Sequence, residues 1–241
     1  MNIHDEIAEQ AIHMANPFPT ITNRGNKTPH TTFIALSGKK QVGKDTAAQM
    51  IVRLLEPYKK RVVVTAFAEP LKRMCIDVLG LKSEGVYGTD THKNALSHIA
   101  WDGFTIDIRL KYSKEIDHLD GKLLPRSGLM TNREVLQVMG TDIFRSIYDQ
   151  VWAKAPFNRD WHGVDVVVLT DCRFPNEKIA TEEVGGVIIR LERSTGFSDN
   201  HASEIALDGY TFENTYQNGG SFSDLENYLF SILKKQGLLN V

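Results

Sequence analysis

The sequence predicts an α/β fold in which a doubly wound, mostly parallel sheet is flanked by helices. Three short apolar runs, at residues 32–37, 164–171 and 187–191, have the composition of strands buried on both faces of a parallel sheet. The first run leads through a glycine-bounded loop into a predicted helix at 46–55, and further helical segments separate the later runs. Strands that alternate with helices in this way favour a sheet covered by helices on both sides.

The loop after the first strand has the spacing G-x-x-x-x-G-K of a phosphate-binding loop. Its glycines allow backbone N–H groups to converge on phosphate oxygens, and the following helix adds the positive end of its dipole. The lysine can then reach the outer phosphates. The alternative is an ordinary Gly-Lys turn. The clear strand pattern before the loop and the clear helix pattern after it disfavour this alternative. The predicted nucleotide-binding residues of the loop are Gly38, Lys39, Val42, Gly43, Lys44, Asp45 and Thr46.

Two residues are candidates for a magnesium site, Thr46 and Asp171. A Ser or Thr usually follows the lysine and binds Mg2+, but here Asp45 takes that position and the hydroxyl comes one residue later, on Thr46. Asp171 ends the strand at 164–171, and an acid at the carboxyl end of a parallel strand can serve Mg2+ directly or through water. The alternative role for Asp171 is as a cap of the helix that begins near Pro175.

A helix with two distinct stripes is predicted to follow Thr131, which forms a capping box with Glu134. The apolar stripe consists of Leu136, Met139, Ile143 and Ile147, and the polar stripe consists of Arg133, Gln137, Thr141 and Arg145. A polar stripe is usually a solvated face. Two arginines, an amide and a hydroxyl with one neighbouring acid, Asp142, favour contact with a ligand instead. Gly140 could interrupt this helix.

The rest of the chain contains three regions outside the strand–helix alternation. Residues 1–31 form a predicted N-terminal arm that precedes the main domain at 32–241. Residues 82–130 form a predicted insertion, in which alternating residues at 104–111 favour a strand or hairpin. Residues 193–209 are polar and contain glycine, which predicts a loop over the site; it is interpreted as a lid, with an ordinary surface loop as the alternative.

The composition is that of an ordinary globular protein, with 41% hydrophobic and 24% charged residues. The net charge of −2 provides no global basic field, which argues against a nucleic-acid partner. Cys75 and Cys172 lack the spacing of a metal site, and no run of about 18 apolar residues or signal pattern occurs. We therefore expect a cytoplasmic protein without a membrane partner. A homodimer is left open.

Five separated blocks form an ordered set: residues 37–46, residues 133–142 with Arg145 and Trp152, residues 171–177, residues 189–193 and residues 201–204. Together they resemble the deoxynucleoside monophosphate kinases of tailed bacteriophages, within the P-loop nucleoside monophosphate kinase group. The resemblance covers roughly residues 32–235 and is weakest at 82–130. It implies a P-loop kinase fold, ATP and Mg2+ as cofactors, and transfer of the ATP γ-phosphoryl group to a deoxynucleoside monophosphate (dNMP) in the host cytoplasm.

The resemblance also implies roles for individual residues. It carries the ATP site onto Gly38, Gly43, Lys44 and Thr46. More loosely, it carries acceptor contacts onto Phe67, Lys72, Arg133, Gln137 and Asp142, to which the polar stripe adds Thr141. Phosphoryl transfer depends on positioning and on neutralised charge. The predicted catalytic residues are Lys44, Arg133, Arg145, Asp171 and Arg173, and Arg193 is predicted to clamp a phosphate or to stack on adenine.

Two other functions are compatible with the same loop. A kinase of this kind could act on a modified base or on a nucleic-acid end, although the lack of an overall basic charge disfavours a polymer substrate. The chain could also be a nucleotide-sensing module without turnover. Simple ATP binding needs few arginines, so the number of candidate arginines favours an enzyme.

Overall fold

The computed structural model describes residues 31–193 and 205–240. The predicted N-terminal arm, apart from Thr31, and most of the predicted lid therefore lie outside the described residues. The described strands are β1 (Thr32–Ser37), β2 (Val62–Thr65), β3 (Leu96–Ala100), β4 (Leu129–Thr131), β5 (Val166–Cys172), β6 (Val187–Glu192) and β7 (Asn214–Gln217). Five of them form one parallel sheet in the order β2-β5-β1-β6-β7, and β3 and β4 form a separate antiparallel pair. The predicted fold class is confirmed.

Helices connect the strands on both sides of the sheet. The described α-helices are α1 (Lys44–Leu55), α2 (Glu69–Asp77), α3 (Ser83–Tyr87), α4 (Asp90–Asn94), α5 (Ile106–Lys111), α6 (Asn132–Gln137), α7 (Arg145–Ile147), α8 (Val151–Lys154), α9 (Pro175–Glu183) and α10 (Phe222–Lys235). Short 3-10 turns lie at Glu56–Tyr58 and Trp101–Gly103, and a π-helical segment lies at Val138–Phe144. The predicted helix at 46–55 therefore begins two residues earlier than expected, at Lys44.

Both faces of the sheet are buried, as its apolar strands require. On one face, Leu36 of β1 belongs to a cluster with Ile51 of α1 and Leu229 of α10. On the other face, Leu169 of β5 belongs to a cluster with Phe67. Because helices occupy both faces, the carboxyl ends of the strands are the natural place for a ligand.

A second hydrophobic core lies apart from the sheet. Its largest fully buried side chains are Trp101 and Met130. They pack with Cys75 of α2, Val86 of α3 and Val135 of α6. The predicted insertion at 82–130 therefore contributes to a packed unit that α2 and α6 complete.

The prediction of a strand or hairpin at 104–111 is wrong, because α5 occupies Ile106–Lys111. Phe104, Ile108 and Tyr112 all pack against the second core, and they are spaced by four residues, as one side of a helix requires. The alternation of apolar and polar residues in the sequence arises because Ile106 is apolar as well. In the structure, however, the Ile106 side chain is exposed. Burial of every fourth residue, and not of every second one, decides the local structure.

The helix that follows Thr131 changes its winding near Gly140. The π-helical segment Val138–Phe144 replaces the α-helical turns there. The buried apolar side chains on this helix are Val135 and Val138, while Ile147 is 79% exposed, so the predicted apolar stripe is wrong at its end. A π-turn holds more residues than the 3.6 of an α-helix. Residues spaced by four, such as those of the polar stripe, therefore drift less around the helix axis.

The capping box predicted at Thr131 makes a contribution to stability that can be tested. The Glu134 N–H donates to Thr131 Oγ1 over 3.1 Å, and the Thr131 N–H donates to the Glu134 carboxylate over 2.9 Å. We expect Thr131→Ala to lower the free energy of unfolding by about 1 kcal/mol, measured by urea denaturation. Thr105 is a matched control, since it precedes α5 without making a side-chain cap bond. An equal loss in Thr105→Ala would contradict the assignment.

Candidate functional site

The loop between β1 and α1 needs glycine at both ends. Gly38 has φ of 144°, and a Cβ there would lie 2.4 Å from the carbonyl oxygen of Leu191 on β6. Gly43 has φ of 100° and is the N-cap of α1 without a side-chain cap bond. The N–H groups in the first turn of a helix lack intrahelical partners. The loop therefore presents the helix N-terminus that the sequence pattern predicts.

Lys44 holds the loop closed around its own side chain. Its ammonium Nζ donates to the carbonyl oxygens of Gly38 and Lys39, each over 2.7 Å. The side chain is buried, but it also lines the large cavity beside the loop. A lysine in this position can contact phosphate oxygens in the cavity with little movement.

Asn218 supports the loop from the far end of the chain. Its Nδ2 donates to the carbonyl oxygen of Val42 over 2.7 Å, and its N–H donates to the carbonyl oxygen of Glu192 over 2.6 Å. It follows β7, so the end of the sheet next to β6 fixes the loop conformation. No local pattern in the sequence predicts this contact between residues 176 positions apart.

A cavity of about 1250 Å3 lies at the carboxyl ends of the strands. The predicted site residues that line it are Gly43, Lys44, Asp45, Thr46, Lys72, Arg133, Gln137, Thr141, Arg145, Asp171 and Arg173. The phosphate loop and the polar stripe thus face one space, although the loop belongs to the sheet and the stripe to the second core. The predicted ligand face of the helix after Thr131 does line a cavity.

Other predicted residues lie outside the cavity lining. Phe67 is only 1% exposed and packs in the sheet core, with its ring 6.0 Å from that of Phe157. Asp142 accepts hydrogen bonds from Lys111 and, over 2.7 Å, from the Tyr112 hydroxyl. We therefore correct the expectation that the Phe67 and Asp142 side chains face the acceptor in this conformation. The reasons are burial for Phe67 and a pair of intramolecular donors for Asp142.

Three loop residues and one arginine also differ from the expectation. The side chains of Lys39 and Val42, the backbone of Gly38, and Arg193 are not part of the cavity lining. Lys39 pairs with Asp208 over 2.8 Å, and Val42 is buried in the sheet core. Arg193 is exposed, immediately after β6.

Asp171 lies on β5 at the inner edge of the cavity. Its carboxylate accepts hydrogen bonds from the N–H groups of Phe67 over 2.6 Å and Ala68 over 3.3 Å. It therefore does not cap the helix near Pro175, which was the alternative role. Burial raises the pKa of Asp171, while the two N–H groups and the nearby cations oppose that rise. Asp171, Asp45 and Thr46 supply oxygen donors to the same cavity, which are the ligand types that Mg2+ prefers.

A cluster of cations lies on the side of the cavity that belongs to the second core. Lys72, Lys93 and Arg133 all line it, and burial together with Lys72 and Arg133 lowers the pKa of Lys93. Asp90 pairs with both Lys40 of the loop, over 3.2 Å, and Arg133, over 2.8 Å. The sequence analysis missed Lys93, because it falls within the predicted insertion and belongs to no motif.

Glu177 is the acid that the sequence analysis missed at the site. It is 3% exposed, lines the cavity, and lies 3.5 Å from Arg145. Burial raises the pKa of the Glu177 carboxyl to about 7, with hydrogen bonding to the Arg173 N–H opposing the rise and the charge of Asp171 adding to it. The signal that could have found it is its place at the end of the block 171–177.

A neighbouring groove of about 1130 Å3 lies on the other side of α1. Its lining includes the apolar side chains of Val52, Val64 and Phe222, together with Asp45 and Thr46 at the edge of the loop. Among the residues that the structure describes, Arg53 is the one cation of its lining. The larger cavity, with several lysines and arginines, is much better suited to phosphate groups.

Comparison with known proteins adds an independent observation. No family model matches the chain. The chain is 28% identical over 191 residues to a protein of Acanthamoeba polyphaga mimivirus named "Putative deoxynucleotide monophosphate kinase", and the alignment covers 73% of this chain and 81% of that relative. The kinase part of the resemblance is thereby supported. The relative is not from a bacteriophage, so the tailed-phage part stays a prediction.

Within residues 31–193 and 205–240, no helix combines the length and the apolar composition that crossing a bilayer requires.

The raised pKa of Glu177 predicts a pH dependence of stability. An ordinary glutamate titrates near 4.5, so between pH 4.5 and 7 the folded chain keeps a proton that the unfolded chain has lost. The stability contributed by this group is present below pH 4.5 and falls by roughly 3 kcal/mol as the pH rises to 7. We expect urea denaturation to show a shallower decline for Glu177→Gln than for the wild type in this window. Parallel curves would contradict the assignment.

Proposed function

We propose that this protein is a deoxynucleoside monophosphate kinase, which transfers the γ-phosphoryl group of ATP to a dNMP and releases dNDP and ADP. The observation that carries the proposal is one cavity with a phosphate loop on one side and an arginine-bearing helix on the other. Transfer between two nucleotides requires both phosphate groups in one space, with their reacting atoms aligned. The name of the mimivirus relative is consistent with this acceptor class.

The cavity is large enough to hold two ligands. Sites for single small molecules usually have volumes of about 300–1000 Å3, whereas this cavity has about 1250 Å3. A module that only senses ATP needs a single nucleotide site. The additional volume, on the side of the second core, is available for an acceptor.

The donor phosphates would bind at the loop. Backbone N–H groups from Gly43 to Thr46 and the Lys44 ammonium group would contact their oxygens, as in other phosphate loops. Thr46 and Asp171 are the residues proposed to hold Mg2+, with Asp171 acting directly or through water. When bound, Mg2+ would neutralise charge that develops on the phosphates.

The acceptor would bind against the second core. Lys72 and Arg133 supply positive charge for its phosphate, while Gln137 and Thr141 supply hydrogen-bonding groups along the same helix. Arg145 and Arg173 line the cavity with Asp171 and would neutralise charge on the transferring group. Guanidinium groups suit this role because their planar fork matches phosphate oxygens.

Loss of Lys44 tests the donor side. We expect Lys44→Ala to reduce turnover by at least about 100-fold, because a donor aimed at developing charge is commonly worth this much. The measurement is a coupled assay of ADP release with Mg-ATP and each dNMP and NMP, in parallel with single-stranded DNA. Lys234→Ala, an exposed lysine on α10, is the matched control. Turnover with DNA alone would favour a nucleic-acid kinase, and ATP binding without any product would favour a sensing module.

Loss of Arg133 tests the acceptor side. We expect Arg133→Ala to raise the KM for the dNMP by about tenfold or more, since a charge-assisted contact is worth roughly 1.5–3 kcal/mol. The KM for ATP should change little. Arg109 is a matched control, because it pairs with Asp102 over 3.0 Å on the second core but does not line the cavity. An equal rise in both KM values would contradict separate donor and acceptor sides.

A further inference from the structure

Glu177 is an unusual residue for the interior of a phosphate-binding cavity. Its negative charge repels phosphate, and a carboxylate is rarely this well buried unless it is paired. Apart from Asp45 and Asp171, the other charged residues in the described lining of the cavity are lysines and arginines. If the negative charge of Glu177 has a role, the contacts of its two carboxylate oxygens should show it.

The two carboxylate oxygens have different partners. Oε2 accepts hydrogen bonds from the backbone N–H groups of Arg173 over 2.8 Å and Phe174 over 3.1 Å, which fixes the turn before α9. Oε1 lies 3.5 Å from Nη2 of Arg145, on a different helix. One side chain therefore connects the turn after β5 to the end of the polar stripe.

Arg145 is held from a second direction as well. Its Cζ lies 4.5 Å from the centre of the Phe174 ring, a cation–π contact with the residue whose N–H Glu177 fixes. The guanidinium group is 24% exposed and lines the cavity. Glu177 thus fixes the backbone of the residue whose ring packs on Arg145. It is also itself an ion-pair partner of that arginine.

Fixing the turn alone does not require a negative charge. A neutral amide oxygen can accept the same two N–H bonds, and burial of a carboxylate carries a desolvation cost that a neutral group avoids. The charged and titratable groups that act on Glu177 are Arg145 and Asp171, from α7 and β5, and Cys172 of β5 responds to its charge. Of these, Arg145 is the cation that its carboxylate charge can orient.

We propose that Glu177 is a positioning residue that sets the Arg145 guanidinium group for contact with the transferring phosphoryl group. This inference rests on the proposed kinase function. An arginine that stabilises this charge can be worth about 10^3–10^5 in rate, and a misplacement of about 1 Å can cost on the order of 100-fold. A residue that only positions the arginine should affect kcat and leave nucleotide binding largely intact.

The first test is Glu177→Gln, assayed above the pKa of about 7 of the Glu177 carboxyl, where this substitution removes a negative charge but keeps an oxygen for the turn. We expect kcat to fall about 10- to 100-fold, with the KM for Mg-ATP within about twofold of the wild type. Glu183→Gln, an exposed position on the same helix, is the matched control and should behave as the wild type. An unchanged kcat in Glu177→Gln, or a loss equal to that of the control, would overturn the proposal.

A double-mutant cycle with Arg145→Ala tests whether Glu177 acts through the arginine. If it does, Glu177→Gln lowers kcat in the wild-type background but has little further effect once Arg145 is absent. Independent, multiplying losses would show that Glu177 acts in another way and would overturn the proposal.

A readout without catalysis separates this proposal from the kinase assignment. In protein labelled with 15N-arginine, the Arg145 Nη–Hη signals should exchange with water faster in Glu177→Gln than in the wild type, because Glu177 lies against Nη2. The Arg109 signal serves as an internal control. An unchanged exchange rate would overturn the positioning role even in an active kinase. A faster rate in a protein that turns over no dNMP would support the Glu177–Arg145 pairing and reject the kinase function.

Discussion

The candidate site depends on a loop that folds around a buried positive charge. The ammonium group of Lys44 donates to the carbonyl oxygens of Gly38 and Lys39, which offsets part of the cost of taking a charge out of water. The loop can adopt this shape because Gly38 has no Cβ where the carbonyl oxygen of Leu191 approaches. Leu191 is present at that point because β6 lies beside β1 in the sheet. The conformation of the phosphate loop is therefore a consequence of strand order as well as of its own glycines.

Features set by neighbouring residues could be predicted from the sequence. The strand at 32–37, the capping box of Thr131 and Glu134, and the glycine positions of the loop depend on contacts within a few residues. The polar stripe was also predictable, because Arg133 and Arg145 lie on one helix. The stripe residues are spaced by four along three successive intervals, a spacing at which residues of a regular α-helix gradually rotate around the axis. The π-helical segment reduces this rotation, so the residues share one face.

Features set by distant residues could not be predicted. Asp171 is fixed by N–H groups about 100 positions earlier, and Asn218 reaches Val42 across 176 positions. The helix at Ile106–Lys111 was mistaken for a strand because period-two alternation and burial at every fourth residue coexist in the same short segment. The second core decides between them, and its members become neighbours only when the chain has folded.

The two cores that form the cavity are joined unequally at its two sides. At the inner side, the buried carboxylate of Asp171 accepts the N–H groups of Phe67 and Ala68, directly before α2 enters the second core. At the outer side, Lys40 of the loop contacts Asp90 in an exposed ion pair, a kind of contact worth about 0–1 kcal/mol. Charge-assisted bonds to a buried carboxylate are stronger than this. The Asp171 bonds therefore oppose relative movement of the two cores more strongly than the exposed Lys40–Asp90 pair does.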